Sequence, residues 1–285
     1  MTEPTLPREL ERAVFELAAW ADQRMICTLP LVARRVNVWI GPLRYRMYRI
    51  PSSRDLEALW RHVETLPASA AHTTHFATTL RVPRIASRLA RTFPNLVDLG
   101  LWGEPPFASD MRALQPLAHL RRLSLSPYNV FPETGAGVNF VPDFPPLTHL
   151  THLELLGPAG HAGPWTPPLI AAACPALTHL SFMDQYLPDV MRDALGTLLR
   201  LAVCVYVHVP DADAAADAGG LEADAATYER QRAVIVAMDD PRAAALTRVD
   251  LDEDWETGAW GGRDYWACAE EEVARAAAEA NSTHA

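Results

Sequence analysis

The sequence predicts an α/β fold: an irregular solenoid with a parallel sheet on one side and short helices on the other, preceded by a small helical unit. Three observations predict it. The phrase Leu96-x-x-Leu99-x-Leu101 returns as Leu120-x-x-Leu123-x-Leu125, Leu150-x-x-Leu153-x-Leu155 and Leu177-x-x-Leu180-x-Phe182, with a looser copy from Leu198. The starts are 24, 30, 27 and 21 residues apart, within or close to the period of about 20–29 residues of leucine-rich repeats. Prolines stand just ahead of the phrases, in Phe93-Pro94, Phe144-Pro145-Pro146 and Cys174-Pro175. A proline there blocks helix continuation and biases the preceding residue toward extended geometry, which turns the chain from helix into strand.

The elements follow in order. Leu6-Pro7-Arg8-Glu9-Leu10 leads into Ala13, Val14, Phe15, Leu17, Ala18 and Ala19, a helical pattern with proline near its start. A turn at Asp22-Gln23 precedes a second apolar segment, from Ile26 to Ile40, that ends near Gly41-Pro42. A helical unit over residues 1–44 is too small for a comfortable core of its own, so it must lean on the rest of the chain or on a partner. The solenoid is expected over 45–251. Tyr45 to Ile50 and Thr74 to Val82 read as strands, Ser53 to Val63 and Pro83 to Phe93 as helices. Between the phrases, Met111–Leu117, Pro168–Ala173 and Leu187–Leu195 are short helices, and Ser126–Asp143, rich in Gly and Pro, is an insertion loop. Ala202–Val209 is strand-like, with valine at 203, 205, 207 and 209. Asp211–Asp224 reads as a solvated loop, and Arg232–Met238 and Leu246–Leu251 as two last strands. Residues 252–285 form a C-terminal cap with an acidic helix from Tyr265 to Glu279, since an open solenoid end must hide its last apolar layer.

Composition narrows the function. Residues 211–285 carry 18 acidic residues against 6 Arg, and residues 1–210 carry 17 against 19, a balance that argues against nucleic acid as partner. No apolar run approaches the roughly 20 residues that cross a bilayer, and the N-terminus does not read as a signal peptide. Cys27, Cys174, Cys204 and Cys268 have no paired spacing, so they read as free thiols in a reducing compartment, cytoplasmic or nuclear. All 25 basic residues are Arg, so the chain offers no internal lysine for ubiquitin attachment.

In the repeated phrase the leucines face the interior and the residues between them alternate outward. The outward ladder is Asp98, Arg122, His152, His179 and Arg200, with Glu154 one position on and Trp102 and Met183 further along. These eight residues form the expected partner-binding face. His152, His179 and Glu154 are metal-ligating types, but a flat parallel face points them alongside one another and offers no fourth ligand, so neither metal nor cofactor is expected. No Gly-rich phosphate loop, nucleophile elbow or His-Glu-x-x-His is present, so no catalytic residue is assigned. The acidic run Asp250–Glu256 reads as a charged turn, with Trp255, Trp260 and Trp266 pinning the cap.

The first fifty residues resemble the F-box-like domain of fungal F-box and leucine-rich-repeat proteins. The match runs through Leu6-Pro7-x-Glu9-Leu10, Phe15, Leu31-Val32, Val36-x-x-Trp39 and Pro42-Leu43-Tyr45. The tail Asp254-Trp255-Glu256-x-Gly258-x-x-Gly261-Gly262-Arg263-Asp264-x-Trp266 is similar to the ending of a group of mushroom-forming-fungus (basidiomycete) proteins with this layout. The resemblance implies a non-enzymatic substrate receptor of a Skp1-cullin-F-box type ubiquitin ligase. Leu6, Pro7, Leu10, Phe15, Leu31, Val32, Val36 and Trp39 would then dock the adaptor or form the helical unit's core, and the repeats would hold a protein substrate. The alternative is a repeat scaffold without a ubiquitin role, in which the N-terminal helices are only a cap. Solvent exposure of the N-terminal apolar residues separates the two.

Overall fold

A computed structural model describes residues 6–82, 84–103, 108–125, 146–157, 167–183, 186–210, 218–248 and 250–283. Helices α1 (Arg8–Ala21), α2 (Met25–Thr28) and α3 (Arg34–Ile40) form the N-terminal unit around Ala19, Ile26, Leu29, Val36 and Ile40. Strand and helix then alternate: β1 (Met47–Ile50), α4 (Ser53–Thr65), β2 (His75–Thr78), α5 (Ile85–Thr92), β3 (Asp98–Leu101), α6 (Ala108–Leu114), β4 (Arg122–Leu125), β5 (His152–Leu156), α7 (Pro167–Ala173), β6 (His179–Met183), α8 (Pro188–Thr197), β7 (Val203–His208), α9 (Ala218–Val236) and β8 (Ala243–Thr247). Two helices close the chain, α10 (Leu251–Ala259) and α11 (Tyr265–Thr283). The eight strands make one sheet, all parallel and in chain order. That is a solenoid-like α/β architecture. No helix among the described residues is long and apolar enough to cross a membrane.

The repeated leucines explain the layering. Leu99, Leu101, Leu123, Leu125, Leu153, Leu155, Leu180 and Phe182 all point to one side, where they meet Leu59 and Trp60 of α4, Leu89 of α5, Met111 and Leu114 of α6, Ile170 of α7 and Met191 of α8. Each repeat enters its strand through the same tight turn. The backbone N–H of Leu96, Leu120, Leu150, Leu177 and Leu201 donates to the carbonyl three residues earlier, that of Phe93, Leu117, Leu147, Cys174 and Leu198. The fifth repeat therefore reads Leu201-x-x-Cys204-x-Tyr206, in register with Leu177-x-x-Leu180-x-Phe182. Leu198 is the turn residue and not the start of the phrase. Two buried leucines three apart, Leu198 and Leu201, are indistinguishable by spacing alone.

Helix starts are set locally. The Ser52 hydroxyl caps α4 by accepting from the Asp55 N–H, and the Asp250 carboxylate caps α10 by accepting from the Glu253 N–H. The second cap corrects the expected charged turn at Asp250–Glu256, which is largely helix, with acids in its first turn where the helix dipole favours them. A second correction concerns residues 218–224 of the expected loop and Arg232–Met238, while residues 211–217 lie outside the described residues. Residues from Ala218 to Val236 are one helix, and the last strand is the single β8, slightly earlier than Leu246–Leu251. Helix α9 sits on β7 through buried polar contacts. His208 Nε2 lies 3.1 Å from Asp224 Oδ2, and the Tyr206 hydroxyl donates to Gln231 at 2.9 Å. The insertion loop Ser126–Asp143 lies outside the described residues.

Candidate functional site

The sheet's other side carries the outward ladder. Met47, His75, Asp98, Arg122, His152, His179 and Val203 stand in one row, and Arg49, Ala77, Gly100, Ser124, Glu154, Ser181 and Val205 in the next. Arg200 is not in the row. It is exposed in the turn before β7, and Val203 takes its place. From β2 to β6 the first of these rows is polar; on β7 and β8 the face turns apolar, with Val203, Val205, Val207 and Ala244 buried.

This face is not open to solvent. The segment after β8 crosses it toward β1 and returns. Arg49 on β1 pairs with Asp252 at 2.8 Å and with Glu256, while Arg46 Nε donates to the Ala259 carbonyl at 3.2 Å. Trp260 meets Trp20 of α1 edge-on, with centroids 5.5 Å apart. The Trp255 indole N–H donates to Asp98 at 3.2 Å, and its ring lies edge-on to Trp102. On the return, Asp264 accepts from Arg122 at 2.6 Å and caps the start of α11 through the Ala267 N–H. Tyr265, Trp266 and Ala269 then land on the valines of β7. The expectation that the ladder is an exposed stripe is thus corrected. Asp98, Glu154, His179 and Met183 are buried, and Trp102, Arg122 and His152 are half-buried. An outward strand residue is exposed only if no other element is laid over it, and here 250–283 is that element.

Several charged groups are paired under this strap. Arg248, with a side chain 5% exposed, pairs with Glu154 and Asp254, each at 2.9 Å, and lies over the Tyr265 ring at 4.5 Å. Burial pushes the Asp98 carboxyl up to about 7, against the opposing pull of Arg122 and the Trp255 N–H. Burial holds His75 down to about 3 and His152 down to about 2, with nearby cations adding to the effect. A cavity of about 20 Å³ lies among Asp98, Arg122, His152, Glu154 and Arg248. That is room for about one water molecule and no substrate.

The N-terminal residues divide cleanly. Val36 is fully buried, and Phe15 and Trp39 are half-buried against the helical core. Leu6, Pro7, Leu10, Leu31 and Val32 face solvent, joined by Val14, Leu17 and Val38. Of the eleven large apolar residues exposed among the described residues, seven lie between Leu6 and Val38. Leu10, Val14 and Leu17 fall on one stripe of α1, opposite the stripe that buries Ala19. On another side of α1, an open cleft of about 660 Å³ between α1 and α3 is lined by Arg8, Glu9, Arg12, Arg34, Arg35, Val38 and Trp39.

Residues that the sequence reading did not single out include Arg248, Glu270, Thr151 and Thr178. The threonines carry a readable signal. The dipeptide Thr-His recurs as Thr74-His75, Thr151-His152 and Thr178-His179 at one repeat position, and each Thr hydroxyl lies 2.8–2.9 Å from the Nδ1 of its neighbouring His. No known protein family matches the chain, and no characterised protein sequence matches it either.

Proposed function

We propose that the chain is a non-enzymatic protein-binding module, a leucine-rich-repeat solenoid whose F-box-like N-terminal unit docks on a Skp1-like adaptor as part of a Skp1-cullin-F-box type ubiquitin ligase. The observation that carries this reading is the concentration of exposed apolar side chains on α1 and the turn at Leu31-Val32. A monomer rarely leaves such a surface uncovered. Charge supports a specific kind of partner. Residues 6–46 hold seven Arg against four acids in a chain of net charge −10, and although Arg12 and Arg35 are paired with Glu16 and Glu11, the excess favours a partner with acidic groups around its apolar contact residues. The substrate, in this reading, does not sit on the outward ladder, which the chain's own C-terminal segment occupies.

One observation favours the scaffold alternative. The N-terminal unit is tied to the strap through Trp20–Trp260, with Arg46–Ala259 alongside at the start of β1, as a terminal cap would be. The readings separate in a binding experiment with the purified cognate Skp1-like protein. Wild type is expected to bind. Leu10→Asp/Leu17→Asp, at positions 54% and 68% exposed, is expected to lose binding while its unfolding free energy changes by no more than about 0.5 kcal/mol per site. Absence of any complex with folded wild type overturns the adaptor reading.

A further inference from the structure

We propose that His152, His179 and Glu270 form a binding site for a divalent transition cation of the zinc type, clamping helix α11 to strands β5 and β6. One donor atom from each residue lies within 4.8 Å of the other two. The two imidazoles are stacked, 4.0 Å between centroids and 8° from parallel. His179 Nε2 lies 3.0 Å from Glu270 Oε1, close to the spacing of two ligand atoms that each sit about 2.0–2.1 Å from one ion. The strand face alone sets its side chains in parallel. Glu270 supplies the convergence, because it comes down from the covering helix.

Hydrogen bonding gives the site a second, independent support. Thr151 Oγ1 donates to the Arg121 carbonyl at 3.1 Å, and Thr178 Oγ1 to the Thr151 carbonyl at 3.2 Å. A hydroxyl has one proton. Once it is spent on the carbonyl, the hydroxyl accepts from Nδ1–H of the adjacent His, and Nε2 is left with the lone pair. That is the outer hydrogen bond a metal-ligating histidine ordinarily has, fixing tautomer and ring orientation. In the same tautomer, His179 Nε2 and Glu270 Oε1 are two acceptors facing each other at 3.0 Å, a conflict that either a second proton on the imidazole or a bound cation removes. Trp266 meets both rings edge-on at 5.1 and 5.6 Å and holds the pair in place. The Arg122 guanidinium, which acts on both rings, is offset by its pair with Asp264. Glu270 is 55% exposed along its side chain, so water has access to complete a four-coordinate shell of two nitrogens, one carboxylate oxygen and a solvent ligand. Binding requires the two rings, 8° from parallel in this structure, to turn out of their stack until both Nε2 lone pairs meet at the ion.

The test uses the full-length chain treated with a chelator, titrated with Co²⁺ and followed by its visible absorption, with Zn²⁺ as competitor. One equivalent is expected to bind with a low-symmetry four- or five-coordinate spectrum, and Zn²⁺ to displace it and raise Tm. Glu270→Gln, an exposed and conservative change, is expected to weaken Co²⁺ at least tenfold and to abolish the Zn²⁺ rise in Tm. Thr178→Val, which leaves all three ligands in place, is expected to cost about 10–100-fold in affinity. Cys27→Ser, at the exposed thiol, is expected to change nothing. Failure to bind one equivalent at millimolar Co²⁺, binding undiminished in Glu270→Gln, or binding lost in Cys27→Ser each overturns the site. None of these outcomes bears on adaptor binding.

Discussion

Replacing Arg248 with Met tests the strap at its most buried charge. The arginine joins two carboxylates, Glu154 and Asp254, donates to the Leu251 carbonyl at 3.0 Å, and covers the Tyr265 ring. Methionine fills part of the volume and leaves Glu154 and Asp254 facing each other with side chains 6% and 21% exposed. Removing one partner of a buried ion pair costs about 3–5 kcal/mol, at least about a fifth of the roughly 5–15 kcal/mol that holds a folded domain together. The loss depends on pH in a definite direction. Burial already raises the Asp254 carboxyl above its ordinary range, against the pull of Arg248. Without the arginine it rises further, so the folded variant keeps a proton that the unfolded chain releases. The deficit is therefore largest near pH 8 and shrinks toward pH 5. Urea unfolding followed by tryptophan fluorescence at both pH values measures it, with Trp255 and Trp266 inside the affected layer. A loss under about 1 kcal/mol at pH 8, or one that grows on acidification, refutes the packing of the strap on the sheet. Glu154→Leu combined with Arg248→Met is expected to recover part of the loss, because one stranded carboxylate is gone.

Three further outcomes follow from the same layer and from the core. Asp98, raised to about 7, stays protonated in the folded state between about pH 4 and 7 where the unfolded chain has lost the proton. Its contribution thus falls by up to about 1.4 kcal/mol per pH unit across that window. Asp98→Asn is expected to gain on wild type as pH rises from 4 to 7 and then level off, whereas His75→Gln, which removes an imidazole held down to about 3, is expected to gain on wild type as pH falls below about 6.5. Unfolding curves against pH check both. Burial pushes the Cys174 and Cys204 thiols up to about 12. A thiol reagent at pH 8 is expected to modify exposed Cys27 first and to reach Cys174 and Cys204 only on unfolding, so rapid native labelling of either contradicts the core.

What could be read from the chain depended on whether neighbours in space were also neighbours in pattern. The leucines from Leu96 to Leu180 state their own burial, because strand and helix of each repeat recur with them. The register of β3 to β6 follows from that. Arg232–Met238 misled because Val234, Ile235 and Val236 are β-branched, yet they end a helix whose buried Ile235 meets the repeat core. The covered face was hidden for a different reason. Nothing local to Asp98 or Glu154 shows that Trp255 and Arg248 will be laid on them from about a hundred residues or more away. One clue was present. Val203 to Val207 reads Val-Cys-Val-Tyr-Val, apolar at every position, and a strand with no polar alternation is one covered on both faces. The Thr-His dipeptides were equally visible, but their meaning required Glu270, which comes from another element.

A linear array of repeats ordinarily frays from its ends, because each unit touches only the next. Here the hydrogen bond from Arg46 to the Ala259 carbonyl joins positions 213 residues apart, and Trp20 meets Trp260 beside it. First and last repeats are thereby fastened to one belt, so a terminal unit cannot peel away without also breaking contacts at the opposite end. Such an array should melt in one step. It should also fold slowly, since its longest-range contacts can form only after the segment around Ala259 has been synthesised.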